Sequence, residues 1–289
     1  MIVSKLSGGL GNQLFQYAAG RRLAHARGTA LVLDLGWYRH MPSSNTPRTY
    51  ELDRYPLEAR PPSGLERLWC RLHHGRVLGR MPWFPRAWRH VRERGFAFDG
   101  RVLELPDDVY LDGYWQSYKY FSDVAEMLRK ELTPVTDMGP VDQVVAGAIA
   151  SGPAAVSLHV RRGDYVSNAA AARVHGLCSL DYYARAVAYM AARLTQPHFF
   201  VFSDDMPWVR ANLHLPGVVS YVDHNGPENA FQDLRLMALC RHHIIANSSF
   251  SWWGAWLGGG VEQQVVAPRG WFADGRDTGD LTPPGWVRL

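Results

Sequence analysis

Ile2-Val3-Ser4-Lys5-Leu6-Ser7-Gly8-Gly9-Leu10-Gly11-Asn12-Gln13-Leu14-Phe15-Gln16-Tyr17 is the stretch on which the fold reading turns. Residues 2–6 are a short apolar run of strand length. Residues 8–11 form a tight turn, because glycine reaches backbone conformations closed to other residues. Residues 12–27 suit a helix that Gly28 ends, and residues 30–35 are a second apolar run. A strand–turn–helix–strand start of this kind, with strands apolar on both faces, is how an open parallel sheet begins.

The same alternation resumes downstream. Residues 109–112 form a strand, whereas the Pro- and Arg-rich stretch from 37 to 108 is irregular. Past a soft segment from Thr133-Pro134 to Gly139-Pro140, strands are predicted over 154–160, 198–202, 218–222, 243–246 and 264–267. Helices are predicted over 180–194, 229–240 and 249–257. The fold class is therefore α/β, with two Rossmann-like domains facing a cleft: an N-terminal domain over 1–150 and a C-terminal domain over 151–289.

Composition narrows the class. The 289 residues are 47% hydrophobic, enough for one large core or two medium ones and too many for a disordered chain. No secretory signal and no window of transmembrane length are visible. Cys70, Cys178 and Cys240 are scattered and odd in number, so buried reduced thiols and a cytoplasmic setting are expected. The formal charge of +4 is local: residues 60–94 hold nine Arg against two Glu, interleaved with Trp69, Trp83 and Trp88. Such a stretch suits peripheral contact with anionic lipid better than nucleic acid; a solvated helical face with buried Trp anchors is the plainer alternative.

In open parallel sheets ligands bind beyond the carboxyl ends of the strands, and the unusual residues fall there. In the first turn Gly9 and Gly11 let backbone approach a phosphate, and the helix start offers free N–H groups. Asn12 there can cap the helix or donate to a ligand. The full dinucleotide spacing is absent, which weakens a dehydrogenase reading, although Asp34 sits where a ribose-binding acid would. His159-Val160-Arg161-Arg162-Gly163-Asp164-Tyr165 places two guanidiniums directly after a strand, which suits a diphosphate. Asn247-Ser248-Ser249-Phe250 opens a helix and can cap it or meet a phosphate. The nearby Trp252, Trp253 and Trp256 read better as core. Asp204-Asp205 lacks the spacer of a metal-binding Asp-x-Asp, so helix capping is preferred to a metal. The histidine pairs complete no zinc ligand set.

Taken in order, these segments resemble the bacterial α-1,2-fucosyltransferases of glycosyltransferase family 11. The likeness runs through Gly8-Gly9-Leu10-Gly11-Asn12-Gln13, Gly113-Tyr114-Trp115-Gln116-Ser117, the His159–Tyr165 motif, His175-Gly176, Tyr182-Tyr183, Phe202-Ser203-Asp204 and residues 247–256. It covers 37–108 poorly. The resemblance implies a GT-B-like fold and inverting transfer of L-fucose from GDP-β-L-fucose to the 2-hydroxyl of a terminal galactoside. The acceptor would be an oligosaccharide, free or lipid-linked, and neither a metal nor any other cofactor is implied.

Site roles follow from the same resemblance. Arg162 would neutralise the leaving β-phosphate, with Arg161 assisting. The donor would be held by Gly9, Gly11, Asn12, Gln13, His159, Asp204, Asp233, Asn247, Ser248, Ser249 and Phe250, and the acceptor by Gln116 and Tyr165. No acidic base follows the motif, since residues 169–172 are all Ala. Asp164 and His175 are the candidates; a carboxylate beside two guanidiniums fits an orienting role better than that of a base. A GT-B enzyme using another nucleotide sugar, a nicotinamide-dependent dehydrogenase and a non-catalytic binding module are the competing readings.

Overall fold

The computed structural model describes residues 1–41, 46–74, 89–152, 154–260 and 262–289. The chain divides into two compact units, Met1–Thr133 with Thr278–Leu281, and Pro134–Asp277 with Thr282–Leu289. The second unit thus begins inside the soft segment at Pro134, not at residue 151. The helix that follows, Pro140–Ser151, belongs to it because Ile149 joins its core.

The first unit holds a parallel sheet of β1 (Ile2–Lys5), β2 (Leu31–Asp34), β3 (Arg89–Arg92) and β4 (Val109–Asp112) in the order β2-β1-β4-β3. Ile2 pairs with both Leu31 and Val109, and Ile2, Val3, Val32 and Val109 are fully buried. Helix α1 (Leu10–Arg27) lies on this sheet at Gly20, where a Cβ would stand 2.9 Å from Leu31 Cδ1 and 3.1 Å from Ser4 Cβ. It ends at Gly28 in the left-handed conformation (φ 61°), as the glycine predicts. Two helices follow β2: the short α2 (Gly36–Arg39) and α3 (Gly64–His74). Of the basic stretch expected at a membrane surface, residues 75–88 lie outside the described residues.

The second unit is built on a six-stranded parallel sheet. Its strands are β5 (Ala155–Val160), β6 (His198–Ser203), β7 (Val218–Val222), β8 (His242–Ile244), β9 (Val265–Ala267) and β10 (Val287–Arg288), in the order β10-β9-β8-β5-β6-β7. Helices follow the strands: α4 (Ala125–Glu131) closes the first unit, and α5 (Pro140–Ser151), α6 (Gly163–Ser167), α7 (Ala169–His175), α8 (Leu180–Ala191), α9 (Met206–Asn212), α10 (Ala230–Leu239) and α11 (Ser249–Gly258) belong to the second. One apolar cluster joins Tyr182, Tyr183 and Met190 to Val156 and Val201, and another joins Ile149, Leu236 and Met237 to Phe200 and Phe202. Because successive strand residues alternate faces, these are the two faces of the sheet. Trp252 and Trp253 are fully buried and Trp256 nearly so, which makes them core. The three cysteines are free thiols, Cys70 and Cys240 buried. No helix among the described residues is long and apolar enough to cross a membrane.

Candidate active site

The arginine motif leaves β5 at its carboxyl end and enters α6. Arg161 is held from two sides: Nη2 donates to Asp164 Oδ1 at 2.6 Å, and Nη1 pairs with Asp204 Oδ2 at 2.8 Å. Asp204 Oδ1 accepts the Arg162 backbone N–H at 2.8 Å. That approach requires glycine next door, since a Cβ on Gly163 would lie 2.5 Å from Asp204 Oδ2. Arg162 points elsewhere. Its Nε donates to Asp205 Oδ2 at 3.1 Å and its Cζ stands 3.8 Å from the Trp208 ring centre. Both Nη atoms of Arg162 make no hydrogen bond to any described residue. They are a planar fork of donors suited to phosphate oxygens.

The adjacent aspartates are thereby divided. Asp205 caps α9, accepting the Trp208 N–H at 3.3 Å, whereas Asp204 serves the two arginines. Asp164 contacts Arg161 and not Arg162, so the expectation that it positions both is corrected to one. Arg162 is placed instead by Asp205 and Trp208, the latter unsuspected in the sequence. Its only signal was its place in the first turn after the Asp205 cap.

Tyr165 follows on α6. Its ring lies 5.4 Å from Arg161 Cζ and stacks on His175 at 4.7 Å with the planes 4° apart. Burial lowers the His175 pKa; Asp164 opposes this and Arg161 reinforces it. Its Nδ1 has no partner among the described residues. His159, 5% exposed, sits 5.6 Å ring to ring from Phe250, again with an unpartnered Nδ1. Burial pulls its pKa down to about 4, with Asp204 pulling the other way, so the ring is neutral near pH 7.

The Asn247 segment resolves two alternatives. Asn247 is a staple: Nδ2 donates to the carbonyls of His175 (2.9 Å), Trp271 (3.3 Å) and Gly176 (3.4 Å), and Oδ1 accepts from Cys178 Sγ at 3.4 Å. Ser248 is the cap of α11, accepting the Phe250 N–H at 3.3 Å. Ser249 opens the first turn of that helix. Asp233 stands in the first turn of α10 and shares Asn225 Nδ2 (2.8 Å) with Asp142 (2.9 Å). His224 Nε2 also meets Asp142 at 2.8 Å. Burial first, then Asp142, pushes the Asp233 carboxyl up to about 7 against the pull of Asn225 and His224.

In the first unit the glycine turn is structurally committed. The cap of α1 is Gly9 and not Asn12, whose Oδ1 accepts from Gln116 Nε2 at 2.7 Å. Gln13, fully buried, donates to the carbonyls of Gly8 (3.1 Å) and Thr49 (2.8 Å) and accepts the Glu51 N–H. Gly11 is buried inside α1, and Gly9 sits against the Arg48 side chain. Asp34 is buried too, taking the Tyr110 hydroxyl at 2.7 Å and the Gly36 N–H at 2.9 Å, which removes it from any ribose.

Paired arginines and a serine-capped helix at the carboxyl edge of a parallel sheet are groups whose chemistry suits a diphosphate. Residues 83–289 match the family described as glycosyl transferase family 11. An Alpha-1,2-colitosyltransferase of Escherichia coli is 31% identical, covering 100% of this chain and 99% of its own. Human Galactoside alpha-(1,2)-fucosyltransferase 1 is 30% identical over 60% of this chain and 49% of its own. A mutant of FUT1 from Arabidopsis thaliana in complex with GDP shares the fold at TM-score 0.51 and 12% identity, covering 89% of this chain and 68% of its own. The chain belongs to glycosyltransferase family 11 and is a glycosyltransferase with two Rossmann-like domains.

Proposed function

We propose that the enzyme transfers L-fucose from GDP-β-L-fucose to the 2-hydroxyl of a terminal β-galactoside, with inversion. The observation that carries this reading is the Arg162 fork, fixed by Asp205 and Trp208 yet with both Nη atoms unengaged by described residues. As the C1–O bond breaks, negative charge gathers on the diphosphate. Arg162 takes that charge, and the first turn of α11 adds backbone N–H groups. Arg161, clamped by Asp164 and Asp204, holds the motif in register. Asp233 accepts from the guanine edge. Asp204 and Asp205 are both committed to arginines, so the reaction proceeds without a metal.

The full-length likeness to a colitosyltransferase favours a second reading, a colitosyl donor in place of the fucosyl one. Mass spectrometry of products from GDP-fucose and GDP-colitose with a lactose-type acceptor decides. A mass gain of one fucosyl residue supports the first reading, a colitosyl gain alone supports the second, and no product with either removes both.

A further inference from the structure

The first unit contains a cavity of about 760 Å³ whose lining includes Asp34, Arg39, His40, Arg67, Cys70 and Arg71. It opens beyond the carboxyl end of β2, where a Rossmann-like unit holds its ligand. Two elements supply the cations. Arg39 ends α2, while Arg67 and Arg71 stand four residues apart on one face of α3. Cys70 and Trp69 pack α3 against Val3, Val32 and Tyr110 of the sheet, which fixes the helix that carries Arg67 and Arg71.

The charge here is unbalanced. No described carboxylate forms an ion pair with Arg39, Arg67 or Arg71; Glu66, on the same helix, is paired with Arg60. The acid in the lining, Asp34, sits at the base, where it receives the Tyr110 hydroxyl and the Gly36 N–H. Burial raises the Cys70 thiol far above its ordinary range, with Asp34 adding to this, so that group stays a neutral thiol. Leu35, Pro61 and Pro62 give it an apolar wall. Three arginines lining a space of small-molecule size that also has an apolar side suit an anion attached to a larger body.

We propose that this cavity binds a phosphate or diphosphate group carried by the acceptor, so that the enzyme prefers glycans bearing a phosphoryl group over neutral ones. The inference rests on the glycosyl-transfer reading for its acceptor half and on the cavity alone for its anion half.

The experiment has two parts. Inorganic pyrophosphate is titrated into full-length enzyme saturated with GDP, so that Arg161 and Arg162 are already occupied, and compared with Arg39→Gln/Arg71→Gln. Saturable binding, weakened roughly tenfold or more in the variant at unchanged thermal stability, is expected. Absent binding, or binding that the variant leaves unaltered, overturns the site. In the second part KM is measured for a lactosyl diphosphate ester and for neutral lactose. The ester is expected to have a KM roughly tenfold lower, the ratio falling toward one in the variant. Equal KM values in the parent, or a preference that arises only when phosphatidylglycerol vesicles are added, overturn the acceptor assignment. If neither acceptor is turned over, the transfer reading fails while the pyrophosphate titration still decides the cavity.

Discussion

Arg162 and Trp208 lie 3.8 Å apart, guanidinium carbon to ring centre, and the carboxylate that caps the tryptophan's helix also takes Arg162 Nε. One helix start thus fixes both position and tilt of the guanidinium. Arg162→Lys keeps the charge but loses the fork, and transfer should fall by roughly 100- to 1,000-fold with the fold intact by circular dichroism. Trp208→Leu removes a contact on the order of 1 kcal/mol, so donor KM should rise about fivefold. Arg162→Lys activity within a few-fold of the parent would remove Arg162 from the phosphate.

Asp204 is the hinge of the motif, and its role separates a metal site from a charge clamp. Exhaustive EDTA treatment should leave the rate unchanged, because Asp204 and Asp205 already pair with Arg161 and Arg162. Loss of activity restored by manganese or magnesium would recast both as metal ligands. Gly163→Ala provides the companion test. Its Cβ would meet Asp204 Oδ2 at 2.5 Å, so Asp204 must move off Arg161, and donor affinity should drop about tenfold or more.

Asp233 should set the pH dependence of donor binding. Its carboxyl, raised to about 7, must be ionised to accept from guanine, so GDP affinity should fall as pH drops from 8 to 6, by up to about tenfold per unit below 7. Asp233→Asn should bind GDP weakly and without that slope. A parent slope that persists in the variant would assign the titration to another group.

The same shifts predict opposed effects on stability. Asp233 holds a proton in the folded state that the unfolded chain has released, so its contribution falls as pH rises from about 4 to 7. His159, with its pKa pulled down to about 4, lacks a proton that the unfolded chain binds, so its contribution rises from about 4 to 6.5. Unfolding midpoints in urea across pH 4–7 should therefore rise more steeply in Asp233→Asn than in the parent. Parallel curves would show that Asp233 titrates at an ordinary carboxylate pH.

Much of this was legible in the chain. Residues 218–222 were read as β7 without change, and the glycine turns, apolar strands and paired arginines carry their meaning within a few residues. β3 was not legible, because Arg89-His90-Val91-Arg92 lies at a sheet edge and needs no apolar alternation. Nor was the return of Thr278–Leu281 to the first unit, which rests on Asp280 receiving the Phe98 N–H and the Ser117 hydroxyl from far along the chain. Asn12, Gln13 and Asn247 read as ligand groups from their loop positions; the structure shows their amides bonded within the protein. A polar side chain at a strand end looks the same in sequence whether it faces a substrate or another loop.

The proton of the acceptor hydroxyl is the last matter the geometry addresses. Asp164 accepts from Arg161 at 2.6 Å and is thereby occupied in holding that guanidinium. His175 has a free Nδ1 among the described residues and a pKa below its ordinary value, and its ring is stacked on Tyr165. A transition state with oxocarbenium character draws the hydroxyl in late, so little base strength is needed and the proton can pass to water on the acceptor's face of the sugar. Asp164→Asn should therefore weaken GDP-fucose binding and rate together, since Arg161 loses one of its two clamps. His175→Ala should lower the rate only modestly, through lost stacking. If Asp164→Asn binds donor normally while transfer drops by roughly 1,000-fold, Asp164 is the base; if His175→Ala shows that split, the base is His175. Rate against pH separates the cases further, because a histidine base would give an acid limb below neutrality that His175→Ala abolishes.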